Sequence, residues 1–579
     1  MKKSLVKTMM AVALVMGSTA CSDVLDKGPL DAYTENEVWE SVELAQSFLY
    51  PSLNYATGTL IWEDKWTDND VIQDDGTASN VNKEQIDRYF DVGWNPRGGG
   101  SDDKVGDVYE NIRKCNLTLE KMAENTTFQE EDKAYLIAQA KMQRAMIYFS
   151  RARLFGKLMI VDRVLAPEEN MELPRTNTVK DTYDFILKDL QEAAPDLPVT
   201  AETGMLTQGA AYALMAEVAL HGAAYIENGQ DEYYAIAKEA SENLFALGQY
   251  ELDTNYESLF NDFDHSQGSK EIILAQWRHE NNTNFDATWM QYLVPNQSND
   301  KKTDFATPDL NDAFEGWIAM FPSSDLVSEY EVIDEDGTAK DWDETSYYKN
   351  YQQHGGYVSQ AIYKNRDARF YATIVQDSSM YFNSLITMRD KGNLHWGSKV
   401  GSIWGTSITG YIYRKGVYTA KPLLNTNPTN YHYIVLRLGR SYLNYAEVML
   451  RQNNIPVAIE YINKTRTVHG GLPALPTTLT SDEAWKAYKR ERRVELVHEG
   501  DRYWSLLRWG KADGKPIVEE LTKTHQAISI SEDGKSFEFI ELPDQRSFNE
   551  RVFTTKRYLF PVPESERVNN PSLDQNEGW

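Results

Sequence analysis

Apolar positions recur at helical spacing in several blocks of this chain. The clearest block runs from Glu130 to Gly156, where Tyr135, Ala138, Met142, Ala145, Phe149, Ala152 and Phe155 follow at steps of three and four. That spacing predicts a helix with one continuous apolar face, and Gly156 ends it. A second helix is predicted over 207–224, with Ala213, Ala216, Leu220 and Ala223 on one side. Such small residues let a neighbouring helix come close. A third covers 232–247, before Gly248. Late in the chain, VLRLGRSYLNYAEVML sets Leu438, Tyr442, Tyr445 and Met449 on one stripe. Helices at 456–467 and 482–498 complete that set. Pairs of this kind, rich in Ala and Tyr, predict degenerate tetratricopeptide-type helix hairpins.

Between the helical blocks the pattern breaks down. Residues 58–104 and 250–432 are rich in Trp, Asn, Asp, Gly and Ser. They hold short strand-like pieces (EIILAQW, YATIV, GYIYRK) separated by long loops, and loops of that length in a compact domain are usually functional. The expectation is a mainly α protein with a loop-rich, minor-β second face. The helical scaffold is expected over about 35–57, 105–248 and 434–510. Helices from both ends of the sequence must meet, so 35–579 reads as a single domain.

The first residues follow a different rule. Lys2, Lys3 and Lys7 precede the short apolar run MMAVALVM, then Gly17-Ser18-Thr19-Ala20 and Cys21. This is a secretion leader over 1–20, too short to span a bilayer. A cysteine at the cleavage point marks a lipoprotein, with Cys21 as the lipidated residue. Residues 21–34, polar and turn-rich, read as a tether. Several acyl chains at one terminus give the stable anchoring that a single chain does not.

Charge narrows the partners. The chain carries 59 Lys and Arg against 87 Asp and Glu, a net charge of −28. Removing the leader takes away three lysines and no acid, which gives −31. Such a surface repels nucleic acid. Only Cys115 remains beside Cys21, so no disulfide framework forms within the mature fold. Cys115 sits in a helical pattern and reads as a small buried apolar residue.

Catalytic patterns are weak. Glu491, Glu495 and Glu499 lie at four-residue steps, and paired carboxylates are what glycoside hydrolysis uses. However, Arg490, Arg492, Arg493 and Arg502 surround them, which predicts ion-paired packing. The stretch Asn365-Arg366-Asp367-Ala368-Arg369 is read the same way, as Arg–Asp pairing that ties loops to the scaffold. There is no G-x-S-x-G nucleophile elbow. Gly534-Lys535-Ser536 lacks a P-loop's upstream glycine, because position 529 is Ser. His279-Glu280 has no second histidine at zinc spacing. Asp68, Asp70, Asp74 and Asp75 form an acidic loop without the EF-hand ligand order. Such a loop could hold a calcium ion, which the fold does not require, but it reads first as a solvated loop, and no other cofactor is expected.

Taken in order, these motifs resemble those of the SusD/RagB family of nutrient-binding lipoproteins of Bacteroidetes. The resemblance rests on Cys21 to Asp26, Tyr109 to Asn116, Arg144-Ala145 to Phe155-Gly156, Pro174-Arg175-Thr176, the 365–369 stretch and Tyr442 to Glu447. It rests above all on Glu491-Arg492-Arg493-Val494-Glu495, Glu499 to Trp504 and Arg508-Trp509-Gly510. The terminus, Tyr558 to Pro563 and Gln575 to Trp579, also fits, with Glu577 where proline is common. The resemblance implies a surface lipoprotein of the outer membrane with no catalysis of its own. It implies capture of an oligosaccharide or polysaccharide, or in some members a peptide, and delivery to a SusC-like TonB-dependent transporter.

The family's site residues vary with ligand, so the resemblance transfers location rather than a motif: the loop before the Tyr109 helix, and the segment after the strand at 271–277. The first holds Trp94, Asn95 and Arg97, a stacking plane beside donors and acceptors for hydroxyls. The second holds Trp289, Tyr292 and Trp317. Trp404, between glycines, is a further candidate, and Trp66 a weaker one. Trp504, Trp509 and Trp579 fall in structural motifs and are assigned to packing. Aromatic residues make up 12% of the chain, enough to furnish a sugar-stacking surface in addition to a core. A peptide-binding importer subunit on the same fold is the alternative, and a glycoside hydrolase a weaker one.

Overall fold

The computed structural model describes residues 35–67, 76–78, 105–169, 172–297, 314–316, 318, 320–395, 406–524, 526–541 and 553–579. Its longer helices are α1 (Val42–Thr67), α2 (Val105–Glu124), α3 (Glu130–Phe155), α4 (Val179–Ala193) and α5 (Gln208–Tyr225). They continue with α6 (Gln230–Ala246), α7 (Leu438–Arg451), α8 (Ile455–Val468), α9 (Ser481–Glu495) and α10 (Arg502–Ala512).

Local chemistry sets their ends. Glu130, Glu131 and Asp132 occupy the first turn of α3, where negative charge meets the positive end of the helix dipole. Gly156 follows at φ 70 and returns its N–H to the Ala152 carbonyl. Capping boxes start α4 (Thr178 with Asp181) and α9 (Thr480 with Glu483), each satisfying two otherwise orphaned amides.

Consecutive helices pack on one another from α2 through α6, and again from α7 through α9. The stack is continuous, because α6 also packs on α7 although residues 247–437 lie between them in sequence. This is the expected run of helix hairpins. Close approach is built into α5. A Cβ on Gly222 would lie 2.7 Å from the rings of Tyr183 on α4 and Tyr233 on α6.

The second face is built of two-stranded antiparallel ribbons. The longest pairs β1 (Ile272–Arg278) with β4 (Tyr431–Arg437). A short one pairs β2 (Ile374–Val375) with β3 (Ile412–Tyr413), and β5 (Gln526–Ile530) pairs with β6 (Phe537–Glu541). One hydrophobic core joins both faces: Phe149, Ala213 and Ala446 from the helices share it with Phe285, Met290, Phe370 and Tyr411. A smaller core gathers Trp39, Leu49, Met122 and Leu136 around Cys115. Cys115 is fully buried, and burial pushes its thiol up to about 11, so it stays protonated and inert. Among the described residues no helix is long and apolar enough to cross a membrane.

Four boundaries differ from expectation. The first helix does not give way at 58 but runs on to Thr67. Burial of Leu60 and Ile61 overrides the weak propensity of Thr57-Gly58-Thr59. Residues 434–437, expected in a helix, finish β4, whose seven residues are all buried. A fully buried apolar run carries no period that separates strand from helix. Tyr371-Ala372-Thr373 closes a helix (Ala368–Thr373), which leaves only Ile374–Val375 as strand. The fourth difference is at α9, which stops at Glu495 rather than 498.

Candidate ligand-binding site

After β1 the chain forms a loop that the second face holds in place. Phe285 N–H donates to the Asn427 carbonyl at 3.0 Å and Asp286 N–H to that of Asn425 at 3.2 Å. Thr429 N–H donates to the Thr283 carbonyl at 2.8 Å. Buried Phe285, Met290, Leu293 and Val294 anchor one side of the loop in the core. The 3₁₀ turn Trp289–Tyr292 lies between them. In a 3₁₀ turn the side chains at i and i+3 eclipse, so Trp289 and Tyr292 fall on the same side. Their ring centroids are 4.9 Å apart at 47°, and both residues are half-buried.

Polar groups lie on the same loop and on the segments that pin it. Gln291 donates from Nε2 to Asn425 Oδ1 at 3.0 Å, and Asn425 N–H donates to Glu315 Oε2 at 2.9 Å. Asn282 and Asp286 are exposed, and Asn425 and Asn427 half-buried. Amides and carboxylates of this kind supply both donors and acceptors for hydroxyls. The indole N–H of Trp289 donates to His498 Nε2 at 3.0 Å. The imidazole lies 18° from the planes of both Trp289 and Tyr413, at 6.3 and 5.1 Å.

Gly316 and Ile318 donate their N–H groups to the carbonyls of Pro295 and Val294 at 3.0 and 3.1 Å. A Cβ on Gly316 would lie 1.7 Å from the Val294 oxygen, so only glycine fits there. This brings the chain on both sides of position 317 beside the Trp289–Tyr292 turn. Trp317 itself lies outside the described residues, as do Trp94, Asn95, Arg97, Trp404, Cys21 and the loop of Asp68, Asp70, Asp74 and Asp75. Trp66 falls within the span of α1. Trp504 and Trp509 are buried, and the Trp579 indole donates to the Lys556 and Leu559 carbonyls at the chain end, so all three pack as expected.

The acid cluster is an internal ion network. Arg437, with no exposure, reaches Glu271 at 2.8 Å, Glu495 at 2.7 Å and Glu499 at 2.7 Å. Arg369 binds Asp367 at 2.6 Å, Glu491 at 2.5 Å and Glu495 at 2.8 Å, while Lys415 binds Glu499 at 2.6 Å. Arg366 donates to the carbonyls of Val327, Tyr330 and Ile362. The 365–369 stretch therefore ties loops to α9, as its sequence predicts.

Glu271, His469 and Glu495 converge closely enough to suggest a cation site. However, His469 faces Glu495 from Nδ1 at 2.8 Å and Glu271 from Nε2 at 3.1 Å. Burial alone would lower its pKa, but the two carboxylates outweigh burial and raise it to about 10. The ring donates from both nitrogens, so an ion would have to displace those protons. Nor do these glutamates face each other across a cleft, since all are buried and paired, which leaves none poised for hydrolysis.

His498, Tyr413 and Asn425 are the site residues that the sequence does not announce. His498 adjoins the Glu499-Gly500-Asp501 motif, but a helix read through 498 hides it.

The chain matches the family model described as "SusD family" over residues 270–579 and that described as "Starch-binding associating with outer membrane" over 48–220. It is 22% identical to a SusD-like protein of Bacteroides ovatus, across 96% of this chain and 95% of that one. A crystal structure of a SusD-like protein from Bacteroides fragilis aligns with a TM-score of 0.74 at 25% identity, covering 96% of this chain and all of the other. A second, of a SusD-like carbohydrate binding protein from the same species, aligns at 0.72 with 21% identity, covering 93% and 100%. With more than half of its length matched by that model, the chain belongs to the SusD family.

Proposed function

We propose that this chain is a cell-surface glycan-binding lipoprotein, anchored in the outer membrane through Cys21. It captures an oligosaccharide or polysaccharide and passes it to a SusC-like TonB-dependent transporter, without catalysis of its own. The observation that carries this reading is the Trp289–Tyr292 pair, two half-buried rings on one side of a pinned turn whose loop and neighbouring segments carry amides and carboxylates. The apolar face of a pyranose stacks on such rings while polar neighbours take its hydroxyls. The starch-binding description of the matched model and the carbohydrate-binding relative support the same ligand class. In this reading Trp317, Trp94, Asn95, Arg97 and Trp404 extend the surface.

The test is a binding screen of the chain from Ser22, free of lipid, against polysaccharides and peptides by affinity electrophoresis and calorimetry. One glycan class is expected to bind. Trp289→Ala is expected to weaken it at least tenfold, as loss of a central aromatic contact does, with the fold retained by circular dichroism at the binding temperature. Peptide binding in place of glycan binding would overturn the reading. Glycan binding that survives Trp289→Ala and Trp94→Ala would keep the function and discard this site.

A further inference from the structure

We propose that His498 is the positioning residue of the glycan site, and that its neutral form holds Trp289 in the binding orientation. The inference rests on the reading of Trp289 as a stacking surface.

An indole N–H can only donate. His498 Nε2, 3.0 Å away, is therefore the lone-pair nitrogen, and the ring is neutral in this arrangement. The imidazole stacks on Tyr413 at 5.1 Å between centroids and meets Trp289 edge to edge through this hydrogen bond, the two rings 18° from parallel. His498 has φ 62, a left-handed conformation that a residue with a Cβ rarely adopts. Gly500 follows at φ 67, and together they turn the chain sharply after α9. His498 is only half-buried, so a proton from solvent can reach it.

Its surroundings offer other titratable groups. Lys415, Glu499, Tyr431, His432 and Tyr433 share with Trp289 and His498 the lining of a cavity of about 30 Å³, room for about one water. Tyr413 covers one face of the ring. Lys415 and Glu499 are paired with each other, and Glu499 with Arg437. A second proton on His498 converts Nε2 from acceptor to donor and sets it against the indole N–H. Trp289 must then turn away, and glycan affinity falls in acid. The site releases its ligand as pH drops and holds it near neutrality.

Two readouts on the full mature chain test this. In ¹⁵N-tryptophan TROSY spectra the 14 indoles give separate signals, and Trp289→Phe assigns the relevant one. From about pH 8 to about pH 5, the span of histidine titration, the Trp289 signal should follow a single protonation. In His498→Gln, whose side-chain oxygen accepts at every pH, it should stay fixed. Calorimetry with soluble starch and a soluble β-1,3-glucan should show affinity falling about tenfold in acid for the parent chain, the scale of one lost hydrogen bond. It should be flat in His498→Gln. His498→Phe, which keeps the ring stack but loses the acceptor, should bind weakly throughout. A Trp289 signal that ignores pH, or an acid loss that persists in His498→Gln, would overturn the proposal. A titrating Trp289 signal without binding of any glycan would uphold the coupling and sink the glycan reading.

Discussion

Arg437 shows how much one side chain holds here. It is fully buried at the end of β4 and faces Glu271, Glu495 and Glu499. Removing one partner of a buried ion pair leaves uncompensated charge, typically at 3–5 kcal/mol. Arg437→Met is expected to cost at least that, read as a drop in the urea midpoint with the slope retained. That acids at 491, 495 and 499 would be ion-paired was legible from the arginines beside them. Their actual partners, Arg369, Lys415, Arg437 and His469, come from distant positions that no local pattern connects. The same division holds at the site. The spacing of Trp289 and Tyr292 by three places them together once the turn is 3₁₀. Nothing in the sequence ties either to His498.

Among elements, the helices follow their sequence closely where period and caps agree. The predicted 207–224 and 456–467 fall within one or two residues of α5 and α8, because small or apolar stripes and strong end signals coincide. β4 was misread because burial on both faces erases its period. The close packing of α5 gives a sharp test. Gly222→Ala drives a methyl into Tyr183 and Tyr233, and overpacking of this kind costs roughly 1–3 kcal/mol. Differential scanning calorimetry should show the loss, and Gly248→Ala at the end of α6, where nothing lies within 4 Å, should show only the smaller strain of its positive φ.

For the whole molecule, buried ionisable groups bound the stable pH range from both sides. Burial would raise the Glu447 carboxyl from 4.5, but Arg508 and its neighbours hold it at about 2. Its contribution is complete above about pH 4.5 and is lost as pH falls through about 2. His469 has the opposite sign. Raised from 6.5 to about 10, it contributes fully below about pH 6.5 and loses that contribution as pH rises through about 10. Burial pulls Lys415 from 10.5 down to about 8, so over that interval it favours the folded form as pH rises and partly offsets the loss at His469. Melting temperature should therefore hold a plateau between mild acid and neutrality. His469→Gln is expected to lower that plateau and flatten the alkaline limb.

The contact between α6 and α7 also has an evolutionary reading. Residues 247 to 437 fall in sequence between two helices that pack on each other, as an inserted cassette would. A cassette so placed can change in sequence while the stack beneath it stays the same. The freedom is not complete. Arg369, Lys415 and Arg437 leave the cassette to meet Glu495 and Glu499, and Glu271 meets His469 just after α8. An exchange of residues 247–437 between relatives should therefore fold when those four positions travel unchanged, and fail when any is altered alone.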